Sequence, residues 1–127
     1  MSKEQGYCIE LSTKVHVMYI FVKQPSEVVD YAIKMTDWFS PLDDSDYVTG
    51  VVVTGDPVFG APALVLGPGT LPDTTLVSDN SGLDRIVKVW LGGGTDGTTY
   101  KVKVVITTDL LRVEEVDFKV KVKEIDS

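Results

Sequence analysis

An all-β fold, with antiparallel sheets packed face to face as a sandwich, is what this sequence predicts. Three observations point there. Apolar and polar residues alternate with a period of two along much of the chain, about seven such runs can be counted, and no strand–helix–strand unit lies between them. The 127 residues suit one domain with a substantial core, so 1–127 is read as a single unit.

Residues 1 to about 12 read as a short N-terminal arm that carries the only cysteine, Cys8. The apolar run "VHVMYIFV" gives a first strand around Val15 to Phe21. Its His16, the only histidine, reads as a core or edge residue bonded to a backbone carbonyl. Val29, Tyr31, Ile33 and Met35 alternate with Asp30, Ala32, Lys34 and Thr36, which favours a strand. A helix over Ser26 to Trp38 is the alternative, because "PSEVVDYAIKM" opens on a capping residue and early acids. Trp38 leaves the strand parity, so a bend is expected near Thr36–Asp37. Val48 to Thr54 is a strand by its β-branched content.

Residues 55–73, "GDPVFGAPALVLGPGTLPD", hold four of the six prolines and four glycines. They read as a long loop with one short strand at Ala63 to Leu66. A connection of this length either touches a partner or is mobile. Its apolar residues Val58, Phe59, Leu64 and Leu66 are candidate contacts with another subunit. A strand near Leu76 then returns to the sheet. Along Arg85 to Leu91 both faces are mostly apolar, with Val87, Val89 and Leu91 opposite Ile86, Lys88 and Trp90. That leaves Trp90 open between core and interface; Trp38 is read as core. In the last hairpin Tyr100, Val102, Val104 and Ile106 share one face, as do Val116, Phe118, Val120 and Val122, with the turn at Thr107 to Leu111. Val113 is out of step with Val116, so a bulge is expected at Glu114–Glu115.

Gly92-Gly93-Gly94 invite a phosphate-loop reading, which the context rejects. Such a loop runs into a helix N-terminus and supplies a lysine, whereas these glycines run into the strand that Tyr100 begins. They read instead as the crossing between sheets, with Asp96-Gly97 setting a turn and the Tyr100 hydroxyl bonding back to the loop backbone.

The chain carries 12 Lys plus Arg against 19 Asp plus Glu, a net charge of -7. Between Gln24 and Asp84 the acids face a single base, Lys34, which argues against phosphate backbones as ligands. One cysteine permits no intrachain disulfide. No apolar run approaches ~20 residues, so no membrane partner is expected, and the absence of a leader pattern points to synthesis in the cytoplasm. No catalytic set, cofactor or metal site is expected. Asp43, Asp44 and Asp46 resemble a calcium loop only loosely: counted from Asp44, Thr49 and Gly55 stand where glycine and glutamate are required.

Two segments carry a family resemblance: "FVKQPSEVVDYAIKMTDWFSPLDDSDYV", Phe21 to Val48, and "VKVWLGGGTDGTTYKVKVVITTDLLRVEEVDFKVKV", Val87 to Val122. Together they resemble small tail-associated structural proteins of tailed bacteriophages and prophages, a group labelled fibre-tail adaptor proteins. Lys23 and Pro25 match its start, Asp30-Tyr31 and Trp38 its second element, and Val89 to Thr95 with Gly97 to Tyr100 its glycine loop. The group's hairpin turn holds Gly-Arg, and Leu111-Arg112 departs from it. The resemblance implies an immunoglobulin-like sandwich, without that fold's usual cysteine pair, that serves as a non-enzymatic virion part. Its implied partners are other virion proteins, with self-association left open. It gives structural weight to Tyr31, Trp38, Gly92, Gly93, Gly94 and Tyr100. The competing reading is a carbohydrate or host-surface binding module, with Trp38, Phe39 and Tyr47 beside Asp43 to Asp46 as its platform. A hydrolase ranks third, since none of the many carboxylates is set apart as a pair.

Overall fold

A computed structural model describes residues 7–10, 18–39 and 45–124. Nine strands form among them: β1 (Tyr7–Glu10), β2 (Tyr19–Lys23), β3 (Val29–Lys34), β4 (Val48–Asp56), β5 (Leu64–Leu66), β6 (Thr74–Ser78), β7 (Asp84–Gly93), β8 (Thr99–Thr108) and β9 (Val113–Val122). They make two sheets. The first runs β1-β3-β7, with β5 and β6 both on the far side of β7; the second runs β2-β9-β8-β4. The all-β expectation therefore holds, with β1 added to the strands read from the sequence and β5 standing where the short strand at Ala63 to Leu66 is expected.

Two pairings depart from an all-antiparallel design. β1 runs parallel to β3, and β2 runs parallel to β9. Both are N-terminal strands added at an edge, one to each sheet. Tyr7–Glu10 is thus part of the first sheet and not a loose arm, and Cys8 lies exposed upon it. His16 and the start of the expected first strand lie outside the described residues, as do Asp43 and Asp44.

Period two explains the core. Tyr31 and Ile33 on β3, Val87, Val89 and Leu91 on β7, Val102, Val104 and Ile106 on β8, and Phe118, Val120 and Val122 on β9 all face inward and are fully buried. The strand reading of Val29 to Met35 wins over the helix. β3 ends at Lys34, and the amides of Trp38 and Phe39 then both donate to the Met35 carbonyl, which makes the expected bend. The large central side chains are Tyr31, Tyr100, Phe39 and Phe118; no tryptophan is among them. Phe21 and Tyr31 each bring their ring centroids within 4.7–5.8 Å of those of Tyr7 and Phe118 and of each other, and the four rings join the sheets along their β1/β2 side. Tyr31 pays for its place with a buried hydroxyl that has no partner among the described residues, and burial pushes its phenol pKa up.

The β8–β9 register is unbroken, so the expected bulge is absent. Val113 instead faces outward, 61% exposed, and Glu114 takes the inward position beside Ile106. The carboxylate is accommodated because it accepts a hydrogen bond from Trp38 Nε1 at 3.3 Å. In the hairpin turn Leu111 adopts φ 66°, the left-handed region that favours glycine.

Gly92 and Gly93 end β7, paired with β5, and residues 94–98 then carry the chain from the first sheet to β8 in the second. Gly94 has φ 103°, and a Cβ there would stand 2.7 Å from Val122. Beside it the amide of Thr95 donates to the Tyr100 hydroxyl at 3.0 Å, closing the loop on a tyrosine that is 2% exposed. Replacing Tyr100 with Phe is expected to cost about 1 kcal/mol in a urea titration, the worth of one such bond. An unchanged midpoint would mean the loop holds without it.

Candidate interface

The two ends of the sandwich are closed differently. At the glycine end, the segment after β4 folds back on the domain. The amide of Gly60 donates to Leu64 O at 2.8 Å, that of Gly67 to Trp90 O at 2.9 Å, and Trp90 N to Asp73 O at 3.2 Å. Thr95 Oγ1 donates to Pro62 O at 3.1 Å. Leu64 to Leu66 pair with the end of β7 as β5. The expected long loop is therefore tied to the sheet at several points. Phe59 lies half-buried over Gly55, where a Cβ would come within 2.7 Å of its ring. Val58 beside it points away and is 78% exposed.

Lys23, the last residue of β2, shares the inward parity of Tyr19 and Phe21 and is fully buried. Its Nζ donates to Gln24 O at 2.8 Å and to Gly93 O on the opposite sheet. It is a polar tie across the glycine end. Burial lowers its pKa to about 8, an effect that the nearby Glu27 carboxylate partly offsets.

At the other end the tie is Asp46. Its carboxylate accepts from the amides of Tyr47 at 3.0 Å and Leu110 at 2.9 Å, and from Arg112 Nε at 3.0 Å and Nη2 at 2.9 Å. Arg85 Nε, from β7, donates to its backbone carbonyl at 3.1 Å. Burial alone would raise the acid's pKa. The hydrogen bonds from Thr108, Leu110, Arg112 and Tyr47 outweigh that and hold it below the ordinary carboxylate range. Phe39 lies buried in the same knot, with the Arg85 guanidinium 4.6 Å from its ring centroid and Trp38 edge-on at 4.9 Å.

The knot takes in part of the expected sugar platform. Phe39 is buried, the Arg112 guanidinium stands 5.0 Å over Trp38, and Asp46 is engaged, while Tyr47 is half-buried and Asp43 and Asp44 lie outside the described residues. Among the described residues no His, Cys, Asp and Glu side chains gather to hold a metal ion. No described helix is long and apolar enough to cross a membrane.

The sequence candidates fall into three groups. Leu64 is fully buried and belongs to the core, not to an interface; Leu66 is half-buried on β5. Trp90 is half-buried on the outer face of the first sheet and donates from Nε1 to Thr75 Oγ1 at 3.3 Å. Val58 is fully presented. Sequence reading missed a second apolar tip: Leu110, Leu111 and Val113, at the Asp46 end, are 61%, 80% and 61% exposed. The signal was there, since the turn holds two adjacent leucines where polar or glycine residues are usual.

Lys23 gives a pH signature. Its pKa falls from 10.5 unfolded to about 8 folded, so between these values the unfolded chain binds more protons and stability from this residue rises with pH. Wild type is expected to gain on a Lys23→Met variant across that window, read as the difference in unfolding midpoint. A constant difference would show that the amine titrates alike in both states.

Comparison with known proteins gives the family. No curated protein matches the sequence. Among solved structures, "Solution Structure of Amebosin" is 13% identical over 92% of this chain and 98% of that chain, with a TM-score of 0.41. The family described as "Podophage GP4 fiber-tail adaptor protein gp77" matches residues 23–121. That match begins at the buried Lys23, takes in both polar ties and the glycine crossing, and also spans the Gly/Pro-rich middle that the sequence resemblance left out. The chain belongs to the podophage GP4 fiber-tail adaptor protein family.

Proposed function

We propose that this chain is a non-enzymatic structural part of a tailed-phage particle, associated with the tail or the head–tail region, that works through protein–protein contacts. It is made in the bacterial cytoplasm and taken into the virion, where its partners are other virion proteins. The strand order, with β1-β3-β7-β6 facing β2-β9-β8-β4, supports an immunoglobulin-like reading of the sandwich. The polar side chains at its two ends are spent on holding the sheets together.

One observation carries the proposal. Leu111 is 80% exposed and sits at φ 66°. A solvent-facing leucine in a glycine conformation serves neither solubility nor stability, whereas a contact with a partner accounts for both features. Together with Leu110 and Val113 it makes one apolar tip, and Val58 makes another at the opposite end.

The experiment is complementation of a phage lacking its own copy of this chain, using Leu111→Gly and Val58→Asp. Leu111→Gly relieves the backbone, so the isolated protein should be as stable as wild type or up to ~1 kcal/mol more stable. Particle yield should nevertheless fall, by about tenfold or more if a hot-spot contact is lost. Normal yields with both variants would overturn the assembly role of these tips.

A further inference from the structure

Strand β4 is an edge of the second sheet. β8 pairs with one side of it, and among the described residues no strand pairs with the other. Its nine residues exceed every other edge: β1 has four, β2 five, β5 three and β6 five. Exposed edges are normally guarded by charge, proline or a bulge. Here the guards stand only at the ends, as a register irregularity between Val48 and Gly50 and as Asp56 before Pro57. Between them runs "TGVVVTG", Thr49 to Gly55, with no charge and no proline.

The rest of the outer face has the opposite character. The interior strands β8 and β9 carry Lys101, Lys103, Glu115, Asp117, Lys119 and Lys121, and Lys101 and Lys103 pair with Asp117 and Glu115. Charge is in the middle of the sheet, and the bare edge is apolar. Val52, the midpoint of β4, is 61% exposed and lies beside Val105 on that face.

We infer that β4 pairs antiparallel with β4 of a second copy, about a two-fold axis at Val52, so that the two second sheets become one continuous sheet. Three features select a second copy as the occupant. The strand is self-complementary about its midpoint: Val51 would oppose Val53, Gly50 would oppose Thr54, and Val48 would oppose Asp56, with no like charges facing. A chain of net charge -7 repels its copies except where a surface lacks acids, and Thr49 to Gly55 is such a surface. Each exposed Val52 would be covered by its counterpart, in one strip with the two copies of Val105. A foreign peptide would be read by pockets or charges along the whole edge; here a pocket lined by Thr54, Gly55, Asp56, Lys101 and Lys103 lies at one end of the strand, and Thr49 to Val53 carry no charge. The inference does not depend on which virion protein the apolar tips meet.

Light scattering across a micromolar-to-millimolar concentration series tests it. Wild type should approach twice the monomer mass. Val52→Lys, which sets two ammonium groups on the axis, should weaken association by about tenfold or more, while Ile20→Lys, equally exposed on β2 at the opposite edge of the same sheet, leaves it unchanged. A second readout is independent of charge. In a Cys8→Ser background, Val52→Cys should oxidise to a covalent dimer and Ile20→Cys should not. A wild type that stays monomeric throughout, a dimer indifferent to Val52→Lys, or no covalent dimer at position 52 would each overturn the pairing. Monomers that still assemble into particles would sink this inference alone. Dimers whose tip variants assemble normally would sink the role of the tips alone.

Discussion

The two sheets meet at Asp46. Its carbonyl is held by Arg85 from the first sheet, and its carboxylate is held by Arg112 and Leu110 from the hairpin of the second. A fully buried carboxylate is costly to desolvate, and it is tolerated here because donors surround it. The same arrangement fixes the hairpin turn, the entry to β4 and the start of β7. It also holds both guanidinium groups against Phe39, at 4.6 Å and 5.5 Å from the ring centroid. Since the acid's pKa is depressed, its contribution to stability is present above the ordinary aspartate value and is lost as pH falls through the folded one. With no disulfide available, this knot and the Lys23–Gly93 tie are the polar clamps at the two ends of an otherwise apolar interior.

That division shapes what the surface can do. Lys23, Asp46 and Arg85 are turned inward, against carbonyls, amides and each other. Beside the charged outer face of β8 and β9, the surface carries a set of apolar features on well-tied backbone: Val58 beside the anchored Phe59, the Leu110–Leu111 turn beside Asp46, and the β4 edge. A rigid scaffold that presents apolar tips loses little entropy on docking, which suits a part built into a larger particle. The family assignment over residues 23–121 agrees with that physical reading.

Much of the scaffold could be read from the sequence, because alternation is a local signal. Tyr100 to Ile106 and Val116 to Val122 announce β8 and β9, and the glycine run announces the crossing between sheets. Features that depend on distant partners were hidden. Val113 is out of step with Val116, which argues for a bulge at Glu114–Glu115; Glu114 takes the inward position instead, and that place rests on Trp38, 76 positions away. Asp46 reads as one more acid in a solvated loop, because its partners Arg85 and Arg112 are 39 and 66 positions away. Those two are the only arginines in the chain, Arg85 at the start of β7 and Arg112 just before β9, which is the clue that was available. β1 has four residues and no usable period; it exists because β3 offers it an edge. Leu64 reads as an exposed loop leucine and is core because β5 pairs with the end of β7.

Amide hydrogen exchange at Leu110 tests the role of Asp46 most directly. The side chain of Leu110 is 61% exposed and sits in a hairpin turn, where an amide ordinarily exchanges fast. If Asp46 ties the sheets together, this amide exchanges only when the whole molecule opens, at the rate of Val104 and Ile106 in the core of β8. Exchange of Leu110 near the free-peptide rate, with β8 still protected, would show that the hairpin opens on its own and that the sheets are held by their apolar faces alone.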